Sequence, residues 1–383
     1  MAGYIFNLDS IESLELYISC GIYATKLSAP VGIWKKHHEA TFADYATMKQ
    51  QDNIYFFIDR KIYGIGELVN IESDCKFSNF PEAGCARAFD YTDMKDALVW
   101  DEGGFSVNQR WLCCFKPSPF FFSTGVDMDD ILSSNPSAFR MLRAFWKVSF
   151  LKFDDVENQA FKDVLLKYNQ HALSAPQESI NIFKSDYEGF HKAIVERLRT
   201  PSYSLDVRTI LGSCAEDDYL KHEMAIEAGI LYQLSYEDQR TLETFGRWDY
   251  LSHQVVASPF KPIDYMDKMD LFGYAYIKGF EPTRSKYLVG EIKKAAALPQ
   301  DIEQLLKYVD WVKDEYAYGD YDMIHAFLVA YDFDASTIVH KNEVAKRRYT
   351  IGRRPAKTLQ WDNLKLIKYC LNSNKIIDFE TIS

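Results

Sequence analysis

Short apolar runs broken by turn residues dominate the first 170 positions. Residues 54–58 (Ile-Tyr-Phe-Phe-Ile) and 62–69 are rich in β-branched and aromatic side chains, and Asp59-Arg60-Lys61 separates them. That pattern predicts a β-hairpin. Residues 21–25 and 111–115 read as further strands, with Pro117 and Pro119 ending the second. Residues 127–132 and 138–145 read as short helices. From 158 to 169 the apolar residues Phe161, Val164, Leu165 and Tyr168 fall at helical spacing, and 187–198 is a second amphipathic helix stopped by Pro201. Between them, 172–179 is rich in Ser, Pro, Gln and Glu and reads as a linker. The last third changes texture. A helix over 217–234 precedes two apolar strands, 271–277 and 287–292, joined by a loop with Gly279 and Pro282. A helix over 301–315 and a continuous apolar run over 323–331 follow, the latter suiting a buried strand. The expected architecture is a multidomain α+β and α/β chain. It has an N-terminal β-barrel-type domain over 1–170, a helical linker over 171–210, and a C-terminal α/β domain over 211–383 with a central mixed sheet.

The chain has 383 residues, 47% of them apolar and 15% aromatic, so each domain can bury a substantial core. Seven cysteines stand at 20, 75, 85, 113, 114, 214 and 370, with no C-x-x-C pair and no Cys/His group at zinc spacing. Reduced, mostly buried thiols are expected. The first residues, MAGYIFNLDS, do not form a basic stretch followed by an apolar one, so no secretory signal is expected. No apolar run reaches the roughly 18 residues that a membrane helix needs. A cytoplasmic protein with no membrane partner is the expectation.

Candidate chemistry concentrates in the last third. Asp270 opens the first apolar strand, and Glu291 stands near the end of the second, two residues before Lys293. Residues i and i+2 of a strand face one side, so Glu291 and Lys293 point together while Ile292 points away. A hairpin of 271–277 with 287–292 sets Asp270 beside Glu291 at its open end. Two carboxylates and a cation at one place are the minimum for holding Mg²⁺ and attacking a phosphodiester. Glu-x-Lys alone carries little weight, since it is common on surface strands. The net charge of −11 opposes non-specific binding to nucleic acid. Against it stands a local run over 341–357, where Lys341, Lys346, Arg347, Arg348, Arg353, Arg354 and Lys357 face one acid, Glu343. This run suits phosphate contact, and equally suits a solvated surface.

Asp270 followed by Glu291-Ile292-Lys293 resembles the PD-(D/E)XK nuclease superfamily, and Gln304-Leu305-Leu306-Lys307-Tyr308 resembles the Q-x-x-x-Y helix of its RecB-like branch. Glu227 or Glu223, one turn apart, matches the family's helix-borne carboxylate. Over about 220–335 the element order is similar too, with a closer likeness to Shedu-type antiphage defence nucleases. Met269 stands where the family has Pro, and Asp264 and Asp267 lie close by. The resemblance implies a restriction-endonuclease-like domain in which Asp270, Glu291 and Glu227 hold Mg²⁺, with Mn²⁺ as a substitute. Lys293 would position or deprotonate the attacking water, and Gln304 would steady either that water or the groups around the metal. Lys294, Tyr308, Arg347, Arg348, Arg353 and Arg354 would contact DNA. Cleavage would leave a 5′-phosphate and a 3′-hydroxyl. The stretches 21–25 and 52–67 resemble PUA-like and EVE-like domains, with Gln51 in place of that fold's glycine. Such domains often recognise modified or flipped bases, and Trp34, with His37, His38 and Tyr45, suits either base stacking or a core. Gly64 and Gly66 are too few to form a phosphate loop. The expected protein is a DNA endonuclease of antiphage defence, gated by an N-terminal sensor and working as a homo-oligomer. A non-catalytic nucleic-acid or nucleotide sensor with a nuclease-like scaffold and an RNA-directed nuclease are the alternatives.

Overall fold

The computed structural model describes residues 1–104, 106–139, 150–174, 181–199, 201–258 and 266–382. The chain forms two compact units. One comprises Met1–Ile33 and Asp44–Asp206, and the other Trp34–Ala43 and Val207–Ser383. A short N-terminal segment therefore belongs to the second unit, which no pattern in the sequence announced.

The first unit contains the strands β1 (Gly3–Asn7), β2 (Ile22–Lys26), β3 (Asn53–Ile58), β4 (Lys61–Leu68), β5 (Lys76–Ser78), β6 (Gln109–Pro117), β7 (Val126–Asp127) and β8 (Phe150–Phe153). Its helices are α1 (Ile11–Cys20), α2 (Lys36–Ala46, shared with the second unit), α3 (Tyr91–Met94), α4 (Met128–Ser134), α5 (Asp155–Tyr168), α6 (Gln170–Ser174) and α7 (Tyr187–Leu198). The β3–β4 hairpin forms as expected, with Ile58 opposite Lys61 across a turn in which Asp59 and Arg60 take positive φ. The strands run in the order β2-β6-β4-β3-β1-β8 in one curled half-barrel sheet. Among the described residues it does not close, since β2 and β8 stand at its two ends. The barrel-type expectation is corrected to that extent. Helix α5 opens on a capping box made by Asp154 and Glu157. It sets Phe161 and Leu165 against Tyr55, Phe57, Ile62 and Phe153 in the core. Gly66 is needed for packing, because a Cβ there would lie 2.5 Å from Ile54 and 2.6 Å from Phe121. Most of the helix expected over 138–145, and most of the linker over 172–179, lie outside the described residues.

The second unit adds β9 (Ala215–Glu216), β10 (Tyr219–Leu220), β11 (Tyr250–Ser252), β12 (Val255–Val256), β13 (Lys268–Met269), β14 (Leu271–Tyr276), β15 (Arg284–Ala297), β16 (Ile324–Phe333), β17 (Arg347–Ile351), β18 (Lys357–Trp361), β19 (Leu364–Leu371) and β20 (Ile377–Ile382). Its further helices are α8 (Val207–Cys214), α9 (Glu223–Ser235), α10 (Gln239–Phe245), α11 (Pro299–Glu315) and α12 (Ala335–Val344). A helix over 217–234 was expected, but α9 begins only at Glu223. Asp217 takes φ 56° at the turn of the β9–β10 hairpin, which occupies the first turn of that helix.

The central sheet is mixed, in the order β11-β14-β15-β16-β19-β20, with β15, β16 and β19 parallel and the rest antiparallel. Along β15 every residue from Tyr287 to Ile292 is buried, as a strand covered on both faces requires. Helix α11 makes the crossover from β15 to β16. Its buried stripe, Ile302, Leu305, Leu306, Val309 and Val312, follows the helical period.

Candidate active site

The β14–β15 pairing runs from Tyr276 opposite Arg284 to Leu271 opposite Gly290. The next step of that register sets Asp270 against Glu291, at the open end of the hairpin. Gly290 makes the approach close, since a Cβ there would lie 2.9 Å from the Cβ of Leu271, an atom that no rotamer change can move away. Gly290→Ala should therefore force the two strands apart. It should destabilise the protein by about 1–3 kcal/mol, read by denaturant unfolding, and weaken divalent-cation binding in the same preparation.

Asp270 is fixed from two sides. Its Oδ2 accepts the Ile292 backbone N–H at 2.8 Å, and its Oδ1 accepts Gln254 Nε2 at 3.0 Å. The same Gln254 nitrogen donates to both oxygens of Glu227, at 3.1 and 3.2 Å. One amide thus links the carboxylate of α9 to that of the β14 edge. His253 Nδ1 stands 3.4 Å from Glu227 Oε2. Gln254 and His253 lie in the short connection between β11 and β12, outside any sequence motif. Gln254 has φ 52°, a left-handed conformation costing an ordinary side chain about 1 kcal/mol. Replacing Gln254 with leucine should loosen both carboxylates and lower metal affinity by about tenfold, measured by calorimetry.

Glu291 is 2% exposed. Its Oε1 accepts the Lys293 ammonium at 2.6 Å, and among the described residues its Oε2 accepts no hydrogen bond. Lys293 also lies 3.5 Å from Asp301 at the start of α11. The expected same-side placement of Glu291 and Lys293 is what this contact requires. Of the two candidate helix carboxylates, Glu227 is buried and tied to Asp270 through Gln254. Glu223 sits one turn earlier, where it accepts the Lys294 backbone N–H at 3.4 Å. Gln304 and Tyr308 bond to each other, Nε2 to hydroxyl at 2.8 Å, along α11. Burial pushes the Tyr308 phenol up to about 12, with Glu291 and Asp270 adding to the shift. Asp264 lies outside the described residues, and Asp267 is exposed.

The electrostatics have one sign. Burial raises the Asp270 carboxyl well above its ordinary value, and the charges of Glu227 and Glu291 push it further. Burial raises Glu227, and His253 and Gln254 hold it back only in part. Burial also pushes Glu291 up to about 7 against the opposing pull of Lys293, with Asp301 and Glu223 adding repulsion. For Lys293 burial disfavours the charge, but Glu291, Asp301 and Asp270 outweigh it and hold the ammonium above its usual range. Lys293 is therefore a cation at neutral pH.

A divalent cation fits this donor set. Glu291 and Asp270 both act on the Lys293 ammonium, their oxygens are the hard donors that Mg²⁺ prefers, and one buried oxygen of Glu291 lacks a partner among the described residues. A charge of 2+ would offset the mutual repulsion that otherwise favours protonated acids.

The basic residues divide. Arg347 is committed internally: its guanidinium holds Asp310 at 3.0 and 3.2 Å and bonds to the carbonyls of Val344 and Lys346. Its side chain is a quarter exposed, and these internal bonds set it apart from the other arginines of the run. Arg348, Arg353 and Arg354 are exposed on the β17–β18 hairpin and its loop, and Lys294 is exposed on β15. Trp34, His38 and Tyr45 are fully buried, so they belong to cores and offer no face to a base. Of that group only His37 is exposed.

No protein-family model matches the chain, and neither does any of the curated proteins. Among solved structures, a repair endonuclease from Pyrococcus abyssi is similar at 25% identity, over 34% of this chain and 46% of that one. Its TM-score is 0.21, so it carries no argument about fold or function here. The functional reading rests on the site itself.

Proposed function

We propose that the second unit is a Mg²⁺-dependent deoxyribonuclease. The observation that carries this reading is a pair of carboxylates, Asp270 and Glu227, bridged by the Gln254 amide at the same end of the hairpin as Glu291 and its partner Lys293, with a buried oxygen of Glu291 left open among the described residues. Asp270 and Glu291 would hold the metal, and Glu227 would complete its surroundings through the Gln254 amide. The bound ion would supply Lewis acidity at the phosphate and a more acidic water. Lys293, already cationic, offsets the negative charge that builds on the phosphorane-like transition state and orients the attacking oxygen. Its raised proton affinity favours this role over that of a base. Gln304 and Tyr308 fix one another and border the carboxylates. Attack of water oxygen on phosphorus breaks the bond to O3′, which leaves with a proton as a 3′-hydroxyl, while the phosphate stays on the 5′ side.

The exposed Arg348, Arg353, Arg354 and Lys294 supply phosphate contacts that offset the overall acidity. Within the same proposal the protein is an endonuclease of antiphage-defence type. Its first unit serves as the sensor that gates cutting, and the protein works as a homo-oligomer. The test compares linear DNA, covalently closed circular DNA and RNA of the same sequence, each with Mg²⁺, Mn²⁺ or EDTA. Cutting of circular DNA supports an endonuclease. Cutting of linear DNA alone would show that ends are required, and cutting confined to RNA would replace the DNA reading.

A further inference from the structure

A second cluster of ligating side chains lies in the same unit, built from residues that the nuclease reading does not use. Glu39 comes from the part of α2 in the segment Trp34–Ala43, Cys214 ends α8, and His222 precedes α9. The Cys214 thiol donates to Glu39 Oε1 at 2.6 Å, and His222 Nδ1 lies 2.7 Å from the same oxygen. Cys214 Sγ and His222 Nδ1 are 3.6 Å apart. Glu39 and Cys214 are fully buried, while the His222 side chain is 23% exposed. Among the described residues Glu39 Oε2 is buried without a hydrogen-bond partner. A buried carboxylate with one oxygen unanswered is costly, and it calls for a counter-charge.

We propose that Glu39, Cys214 and His222 form a second metal site, selective for Zn²⁺ and separate from the carboxylate site at Asp270 and Glu291. The donor set is one thiolate, one imidazole and one carboxylate, which suits zinc and is poorly matched to Mg²⁺. With metal–ligand bonds of about 2.0–2.3 Å, the edges of a zinc tetrahedron are about 3.3–3.6 Å long. The Cys214–His222 spacing already has that length. The two contacts to Glu39 Oε1 are hydrogen-bond lengths, and replacing their protons by a metal opens them by less than about 1 Å. Binding converts the Cys214 thiol to thiolate and releases its proton to solvent. No redox step is involved. The fourth position would be taken by water on the side where His222 reaches solvent. The ion would tie the segment that carries Glu39 to the stretch between α8 and α9, 175 and 183 residues away.

The experiment uses the full chain. Purified protein is stripped with chelator, then titrated with Co²⁺ and with Zn²⁺, alongside Cys214→Ser, His222→Ala and Asp270→Asn variants. The proposal expects a thiolate-to-cobalt charge-transfer band in the wild type and in Asp270→Asn, lost in Cys214→Ser, and displaced by added Zn²⁺. Cobalt at the Asp270 site has only oxygen ligands and gives no such band, so the failure of the nuclease reading would leave this result untouched. Zinc retained after gel filtration should drop at least tenfold in His222→Ala. Circular dichroism checks that the variants fold, and Cys214→Ala and His222→Gln stand in for either variant that does not. A wild type without the thiolate band, or zinc retention equal in wild type and in folded Cys214→Ser and His222→Ala, would overturn the proposal.

Discussion

Lys293→Ala should lower the rate of metal-dependent DNA cleavage by about 10³-fold while leaving divalent-cation binding within a few-fold of wild type. The asymmetry follows from the geometry. Lys293 is a partner of Glu291, at 2.6 Å, and lies 3.5 Å from Asp301. It adds a positive charge to the site and supplies no ligand atom for a cation. Removing it deletes the charge that offsets the transition state and leaves the carboxylates in place. With the ammonium gone, Glu291 binds its proton more tightly, so the residual activity should shift to higher pH. Lys293→Arg keeps the charge but spreads it over a planar fork, and should recover only a small part of the rate. Single-turnover cleavage beside metal calorimetry measures both quantities. A variant that loses metal binding in step with activity would show that Lys293 holds the site together and has no role in the chemistry.

Glu291→Gln should abolish metal-dependent cleavage and, in the metal-free protein, raise stability at pH 8. In the folded chain burial pushes Glu291 up to about 7, from an ordinary 4.5. The folded state therefore keeps a proton that the unfolded state has lost between those values. The extra stability of the neutral acid is fully present below pH 4.5 and is lost as pH rises through about 7. Asp270 and Glu227 are raised too and act with the same sign. In EDTA the unfolding transition of the second unit should accordingly fall in temperature from pH 5 to pH 8. Mg²⁺ should restore more of that loss at pH 8 than at pH 5, because metal and proton compete for the same oxygens. Glu291→Gln removes its share of the pH slope and of the metal response. Thermal unfolding across this range, with and without Mg²⁺, reads all of these effects. A pH-independent transition would contradict the buried, repelling carboxylates described above.

The parts legible in the sequence are those written in local periodicity. The 187–198 helix coincides with α7 because its apolar residues keep the 3.6 period and Pro201 follows. The β14–β15 hairpin was legible from two apolar runs around a loop with Gly279 and Pro282, and its register alone brings Asp270 to Glu291. Gln254 was not legible, because it sits in a short connection whose residues follow no period, and its role arises from a left-handed φ and three contacts. Arg347 looked like its basic neighbours and is distinguished only by its tertiary partner Asp310. The Glu39–Cys214–His222 cluster has no metal-binding spacing in the sequence, because Glu39 is 175 and 183 residues from its two partners. Such a site is built by tertiary packing, and local spacing holds only Cys214 and His222, eight residues apart.

The most direct test of the central claim is cleavage of circular DNA by purified protein, with Mg²⁺ or with EDTA, beside folded Asp270→Asn and Glu291→Gln. The carboxylate site predicts cutting that requires the metal and disappears in both variants. Cutting that persists in EDTA, or that both variants retain, would contradict it.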